Sequence, residues 1–180
     1  MSNAWKNVEI KESGARRYIK LESGENKIRL LSDPITGYIG WIEEDGKRKP
    51  VRSKDKPEGD NLAIFEEGVK PFIATVAWDY RDNQLKVFET DKATIIKGIK
   101  SLAEDEDYGD PQGYDLKIKK EGEDKMTRYT VLAAPCKPIS KEIKEAFEST
   151  TVNLNALYDG GDPFAVEEFI DSKPKKKRPF

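Results

Sequence analysis

The chain of 180 residues contains no histidine, one cysteine and two methionines, and it has no long apolar run. Without histidine, the commonest protein metal ligand and the commonest acid/base group are missing, so a zinc site or a histidine-dependent triad is excluded. Cys136 has no second cysteine with which to close an intramolecular disulfide. No stretch approaches the roughly 18 apolar residues that suggest a membrane-crossing helix, and the N-terminus has no apolar signal region. The expectation is therefore a soluble, intracellular protein with no metal, no cofactor and no membrane partner. Ser2, Asn3 and Ala4 resemble a cloning remnant and are assigned no function.

What the chain does have is charge. Charged residues make up 37% and hydrophobic ones 36%, which describes a modest core under a heavily solvated surface or beside loose ends. The 32 basic and 34 acidic residues nearly cancel, so any site for a polyanion must be local.

Hydrophobic alternation locates the strands. Lys27 and Arg29 alternate with Ile28 and Leu30, and after Asp33-Pro34 the pattern continues through Tyr38, Ile39, Trp41 and Ile42, as in one long, bent strand. Residues 43–71 hold Asp45-Gly46, Pro50, Pro57, Gly59, Gly68 and Pro71, and read as a long loop. Strands over 72–80 and 85–89 flank the polar turn Arg81-Asp82-Asn83-Gln84. One face carries Phe72, Ala74, Val76, Trp78, Tyr80, Leu85 and Val87 as core; the other carries Thr75, Ala77, Asp79, Lys86 and Phe88. Thr90 or Asp91 caps a helix whose Ile95, Ile96, Ile99 and Leu102 form one stripe. A second hairpin follows, with Tyr114, Leu116 and Ile118 on one strand and Tyr129 and Val131 on the other. The predicted class is mainly β: a five-stranded OB-fold barrel with a helix between strands 3 and 4, followed by short C-terminal helices and a flexible tail. An open α+β sheet of the same strands is the alternative. The predicted divisions are an N-terminal arm over 1–24, the barrel core over 25–136, a helical extension over 137–158 and an acidic-then-basic tail over 159–180.

Aromatic residues interleaved with cations are what single-stranded nucleic acid requires, since bases stack on the rings and phosphates meet the charges. Tyr38 and Trp41 precede the basic run Lys47, Arg48, Lys49, Arg52 and Lys54. Lys27 and Arg29 lie on the first strand, Lys86 and Phe88 on the groove side of the first hairpin, and Lys117, Lys119 and Arg128 on the outer face of the second. For Trp78 and Tyr80 core packing is the favoured role, because they share a face with Val76, Leu85 and Val87. The carboxylates Glu104, Asp105, Glu106, Asp107 and Asp110 could be read as the magnesium site of a nuclease, but their crowding in a helix-ending turn favours a solvated terminus. Cys136 has no basic neighbour closer than Lys137, which disfavours a nucleophile. A protein-interaction module that uses charge for solubility is the other competing class. The terminal KPKKKRPF suits a phosphate-touching tail.

The segments NKIRLLSDPITGYIGW and KPFIATVAWDYRDNQLKVFETDKATIIKGIKSLAEDEDYGDPQGYDLKIKKEGEDKMTRYTVLAAP resemble the single-stranded DNA-binding proteins of tailed phages and prophages, relatives of the gene-32-type helix-destabilising family. The resemblance covers residues 20 to 140, and the turn YGDP-x-GYD-x-x-I is its most distinctive part. It implies an OB-fold core that binds single strands without sequence preference and protects them in DNA replication, recombination and repair. The ligand is single-stranded DNA, with RNA as the related alternative, in the cytoplasm of the cell or of a phage's host. Protein partners would be replication or recombination proteins recruited through the C-terminal tail. The implied groove falls on Tyr38, Trp41, Arg48, Lys49, Arg52, Lys86 and Phe88. Gene-32-type proteins carry a histidine and cysteine zinc site, which this chain lacks, and their acidic terminus is here basic.

Overall fold

A computed structural model describes residues 17–165. Seven strands form a single antiparallel sheet: β1 Gly24–Leu30, β2 Ile35–Glu44, β3 Lys47–Ser53, β4 Val69–Asp79, β5 Gln84–Thr90, β6 Asp115–Glu121 and β7 Arg128–Ala133. Its order is β3-β2-β4-β1-β6-β7, with β5 on the other edge of β4. The helices are α1 Asp60–Ala63, α2 Ala93–Glu104 and α3 Lys141–Ser149. Among the described residues none is long and apolar enough to cross a membrane.

The long bent strand is present as β1 and β2, which lie end to end along one edge of β4: Leu30 pairs with Ala77, and Ile35 with Ala74. At the bend between them the Ser32 side chain takes over from the backbone ladder. Its Oγ accepts the Val76 N–H at 3.0 Å, while the Leu31 N–H reaches the Val76 carbonyl at 2.8 Å. No buried backbone donor is stranded there, which is what lets a bend sit inside the sheet.

Residues 43–71 are not the continuous loop expected. Asp45 and Gly46 adopt φ of 53° and 77°, the left-handed pair of a two-residue hairpin turn, and they return the chain as β3. Trp41 then lies opposite Pro50, and Ile39 opposite Arg52. Pro50 is tolerated because β3 is the outer strand, where a missing N–H costs no ladder bond. Beyond it, Phe65 is buried with its ring against Gly40, where an added Cβ would come within 2.3 Å of Phe65 Cδ1.

The β4–β5 hairpin pairs Trp78 with Leu85 and Val76 with Val87, two residues away from the register expected from the turn, in which Tyr80 faces Leu85 and Trp78 faces Val87. A two-residue shift preserves which face each side chain takes. The expected core face holds: Phe72, Ala74, Val76, Trp78 and Val87 are buried in one cluster. The opposite face is buried as well, which alternation alone did not indicate. Ala77 and Phe88 pack there with Ile28, Leu30, Ile95, Ile99, Tyr114, Leu116 and Ile118, under α2.

Two separate layers thus cover the sheet. One is α2, whose Gly98 sits so close to β7 that a Cβ would lie 2.9 Å from Val131. The other is the C-terminal extension: Ile143 of α3, then Leu154, Leu157 and Phe164 complete the cluster around Phe72 and Trp78. Burial extends to Phe164, past position 159 where a tail is predicted to begin. Tyr158 packs edge-on to Phe72 and donates its hydroxyl hydrogen to the Thr36 carbonyl at 2.5 Å. Among the described residues β5 and β7 are not paired, so the sheet stays open where a closed five-stranded barrel is predicted. The N-terminal arm enters at Tyr18, which bridges Val87 in parallel. The first 16 residues and the terminal run from 166 to 180, including KPKKKRPF, lie outside the described residues.

Candidate nucleic-acid interface

Trp41 is the side chain at which this surface is organised. It stands on the β2–β3 hairpin, 40% exposed where a tryptophan is usually covered, and the Arg48 guanidinium lies 5.0 Å from its ring centroid. The register explains the pairing: Ile39 and Trp41 share a face of the hairpin with Arg48, Pro50 and Arg52 of β3, and Lys70 of β4 joins it opposite Ile39.

Three adjoining depressions share Trp41 as a wall. The largest, about 600 Å³, lies between the hairpin and the segment after α1, against Ile42, Arg48, Ile64, Glu66 and Glu67. The second, about 430 Å³, runs along Arg48, Lys70 and Lys92. The third, about 310 Å³, reaches inward past Lys20 and Leu21 to Asp91 and Tyr129. Four cations (Lys20, Arg48, Lys70 and Lys92) therefore border a trough with Trp41 where its three parts meet and Tyr129 in the third, alongside the carboxylates of Glu43, Glu66, Glu67, Glu89 and Asp91. A polyanion with stackable bases fits that arrangement. One internal contact competes for it: Arg48 NH2 also meets Glu67 Oε2 at 3.1 Å in an exposed pair.

The expected site residues divide sharply. Trp41 and Arg48 stand together at the trough. Arg52 lies on their face but is committed to Glu89, donating from Nε and NH2 at 2.5 and 2.8 Å, with only 10% of its side chain exposed. Tyr38 and Lys49 take the opposite face of the hairpin; Tyr38 is half-buried, and Lys49 meets Glu44 at 3.7 Å. Lys54 is exposed near the Tyr158 ring, 6.0 Å from its centroid. Lys27, Lys117, Lys119 and Arg128 belong to β1, β6 and β7 and line none of the three depressions. Lys119 and Arg128 are exposed, and Lys119 meets Glu121 at 3.6 Å.

Three expected contacts are interior groups and are corrected here. Phe88 is 1% exposed in the cluster under α2. Lys86, expected on the groove side, is buried and donates from Nζ to Asp79 Oδ2 at 2.9 Å and to Asp82 Oδ2. Burial alone would lower the Lys86 pKa, but its hydrogen bonds to Asp82 and Asp79 outweigh that and raise it, so the ammonium stays charged inside. Arg29 is spent on structure: it donates to the Gln112 carbonyl at 2.9 Å, the Lys137 carbonyl at 2.7 Å and Asp115 Oδ1 at 3.4 Å. Burial works against the charged form of Asp115, yet the hydrogen bonds from Tyr80, Lys137 and Arg29 hold its pKa below the ordinary aspartate value.

Lys20, Lys70, Lys92 and Tyr129 were missed. Tyr129 alternates in phase with Val131 and so resembles core, while the three lysines sit beside no motif: Lys70 is placed by the pairing of β4 with β2, Lys92 by the turn from β5 into α2, and Lys20 by the segment that joins β5 at Val87. The acidic turn is structural. Asp105 Oδ1 accepts the Asp107 N–H at 2.7 Å and Asp110 Oδ1 the Gln112 N–H at 3.0 Å. Among the described residues no three His, Cys, Asp or Glu side chains are grouped to hold a metal.

The trough thus sets one exposed aromatic ring and one half-buried one among cations on an open antiparallel sheet. The chain is similar to a probable ssDNA-binding protein of Escherichia phage T5, at 28% identity over 157 residues, covering 73% of this chain. The matched part spans 60% of the length of that relative. No protein-family profile matches the chain.

Proposed function

We propose that this chain is a non-enzymatic single-stranded DNA-binding protein that holds the strand in the trough at Trp41 without reading a defined sequence. The observation that carries the reading is the meeting of three depressions at one half-exposed indole with a guanidinium packed on it and Lys70 and Lys92 alongside. The similarity to a phage protein named for the same ligand supports it. The run β1/β2, β4, β5, α2, β6, β7 keeps the element order of an OB fold, with the β2–β3 hairpin as an elaboration of its first long connection. On this reading α3 and the turns after it cover the β4–β5 face that such folds offer to oligonucleotides, and the strand is displaced toward the hairpin. The core over 25–136 binds, the extension over 137–158 braces it, and protection of single strands in replication, recombination and repair is the expected role.

Titration with poly-dT should quench tryptophan fluorescence and weaken as salt rises, because bound cations release condensed counterions. Trp41→Ala should weaken binding about fivefold to 100-fold, the range of one lost base stack, while leaving stability within about 0.5 kcal/mol. No binding at low salt would sink the proposal. Full binding by Trp41→Ala would move the site elsewhere on the sheet.

A further inference from the structure

The depression that holds both rings differs in chemistry from the rest of the trough. Its lining brings the rings of Trp41 and Tyr129 together with Ile39 and Leu21, a cleft for a flat, largely apolar body, and its polar groups are Lys20, Lys92, Glu89 and Asp91. Lys20 and Lys92 on the same lining can meet the phosphates, which leaves the ring-lined part to the base. Of the two carboxylates lining it, Glu89 is committed through both oxygens to Arg52. Asp91 is not: its side chain is 25% exposed, and the cation within ion-pair reach among the described residues is Lys92, 4.0 Å from Oδ1. The neighbouring Thr90 hydroxyl oxygen already accepts the Lys92 N–H at 3.1 Å. Asp91 is left as an acceptor at the end of an aromatic cleft.

We infer that Asp91 biases the protein toward bases that carry an exocyclic amine, and against thymine and uracil. An ionised carboxylate only accepts hydrogen bonds. Cytosine offers its N4 amine, adenine its N6 amine, and guanine an amine beside a ring N–H, each a donor that Asp91 can receive, as carboxylates do from cytosine in duplex readout. Thymine and uracil place their single ring N–H between two carbonyl oxygens, both of which face the carboxylate with like partial charge. A stacking platform accepts every base; an anion beyond it does not. The bias is between base classes and leaves the strand otherwise unread, so it refines the single-strand reading and rests on it.

The test compares dC and dT homo-oligomers of equal length by tryptophan fluorescence titration at one salt concentration, with wild type, Asp91→Asn and Asp91→Ser. Wild type should bind dC about fivefold or more tightly than dT, the low end of discrimination by one base contact since Asp91 is partly solvated. In Asp91→Asn the ratio should fall to within about twofold, because the amide both donates and accepts and meets thymine equally well. Asp91→Ser should do the same, and melting curves confirm that each variant is folded. Equal affinities of wild type for dC and dT overturn the inference and leave single-strand binding intact. A preference that persists in both folded variants overturns the role of Asp91. Failure of wild type to bind either oligomer removes the single-strand reading and the inference with it.

Discussion

Single residues separate the roles that composition mixes together. Two cations of the same basic run, Arg48 and Arg52, end differently: one lies on an exposed indole, the other is clamped by both oxygens of Glu89. The difference is a matter of partners, and only a sequence-distant residue supplies the second. Arg48 is not wholly unencumbered, since its NH2 meets Glu67 Oε2 at 3.1 Å, a carboxylate with which a phosphate would compete. An exposed pair of this kind is worth only about 0.2–1 kcal/mol. Glu67→Gln should therefore tighten single-strand binding about twofold to fivefold at low salt, and the gain should shrink at high salt, where screening has already weakened the pair. Isothermal or fluorescence titration at two ionic strengths checks this, and an affinity lowered by the change would show that Glu67 serves the site instead of competing with it.

At the scale of elements, the hairpin carrying Trp41 is positioned by a contact that no local pattern announces. Gly40 has room for the Phe65 ring only because it lacks a Cβ, and Phe65 fixes the segment that presents Ile64, Glu66 and Glu67 to the trough. Gly40→Ala should cost about 1–3 kcal/mol by overpacking and speed proteolytic cleavage within residues 57–68. Unchanged melting and cleavage would contradict the account. The strands themselves were legible from alternation: the bent first strand, both later hairpins and the stripe of α2 fall where Ile28, Val76, Leu116 and Ile95 place them. What alternation hid was the second covered face. Lys86 and Phe88 occupy positions that in a one-sided sheet would meet solvent, but α2 and the C-terminal extension bury both sides of β4 and β5. Pro50 likewise read as a breaker, because its place on an outer strand depends on the pairing of β2 with β4.

For the whole molecule, Asp115 ties distant parts of the chain together. Its carboxylate accepts from Tyr80 Oη at 2.6 Å and from Arg29, and its Oδ2 lies 3.3 Å from Lys137 Nζ and 3.7 Å from Lys27 Nζ. Because the folded state holds this carboxyl below its ordinary pKa, it binds fewer protons than the unfolded chain. Its contribution is complete above the ordinary aspartate value and is lost as pH falls through about 4 and below. Asp115→Asn should be destabilised at pH 7 by about 3–5 kcal/mol, the cost of breaking a buried pair from one side. The gap between variant and wild type should narrow as the solution is acidified. Thermal unfolding of both proteins across that range is the measurement, and a gap independent of pH would show that Asp115 acts through packing alone.

An unpaired sheet edge is a template on which a second chain can add a strand, and the risk grows with crowding. Copies lined up on one nucleic-acid strand would hold such edges side by side at high local concentration. With Lys47, Arg48 and Lys49 repelling a like edge and Pro50 offering no N–H, β3 is a poor template for its own kind. On the proposed reading, the basic run of β3, of which Arg48 borders the trough, would also guard a coated strand against aggregation.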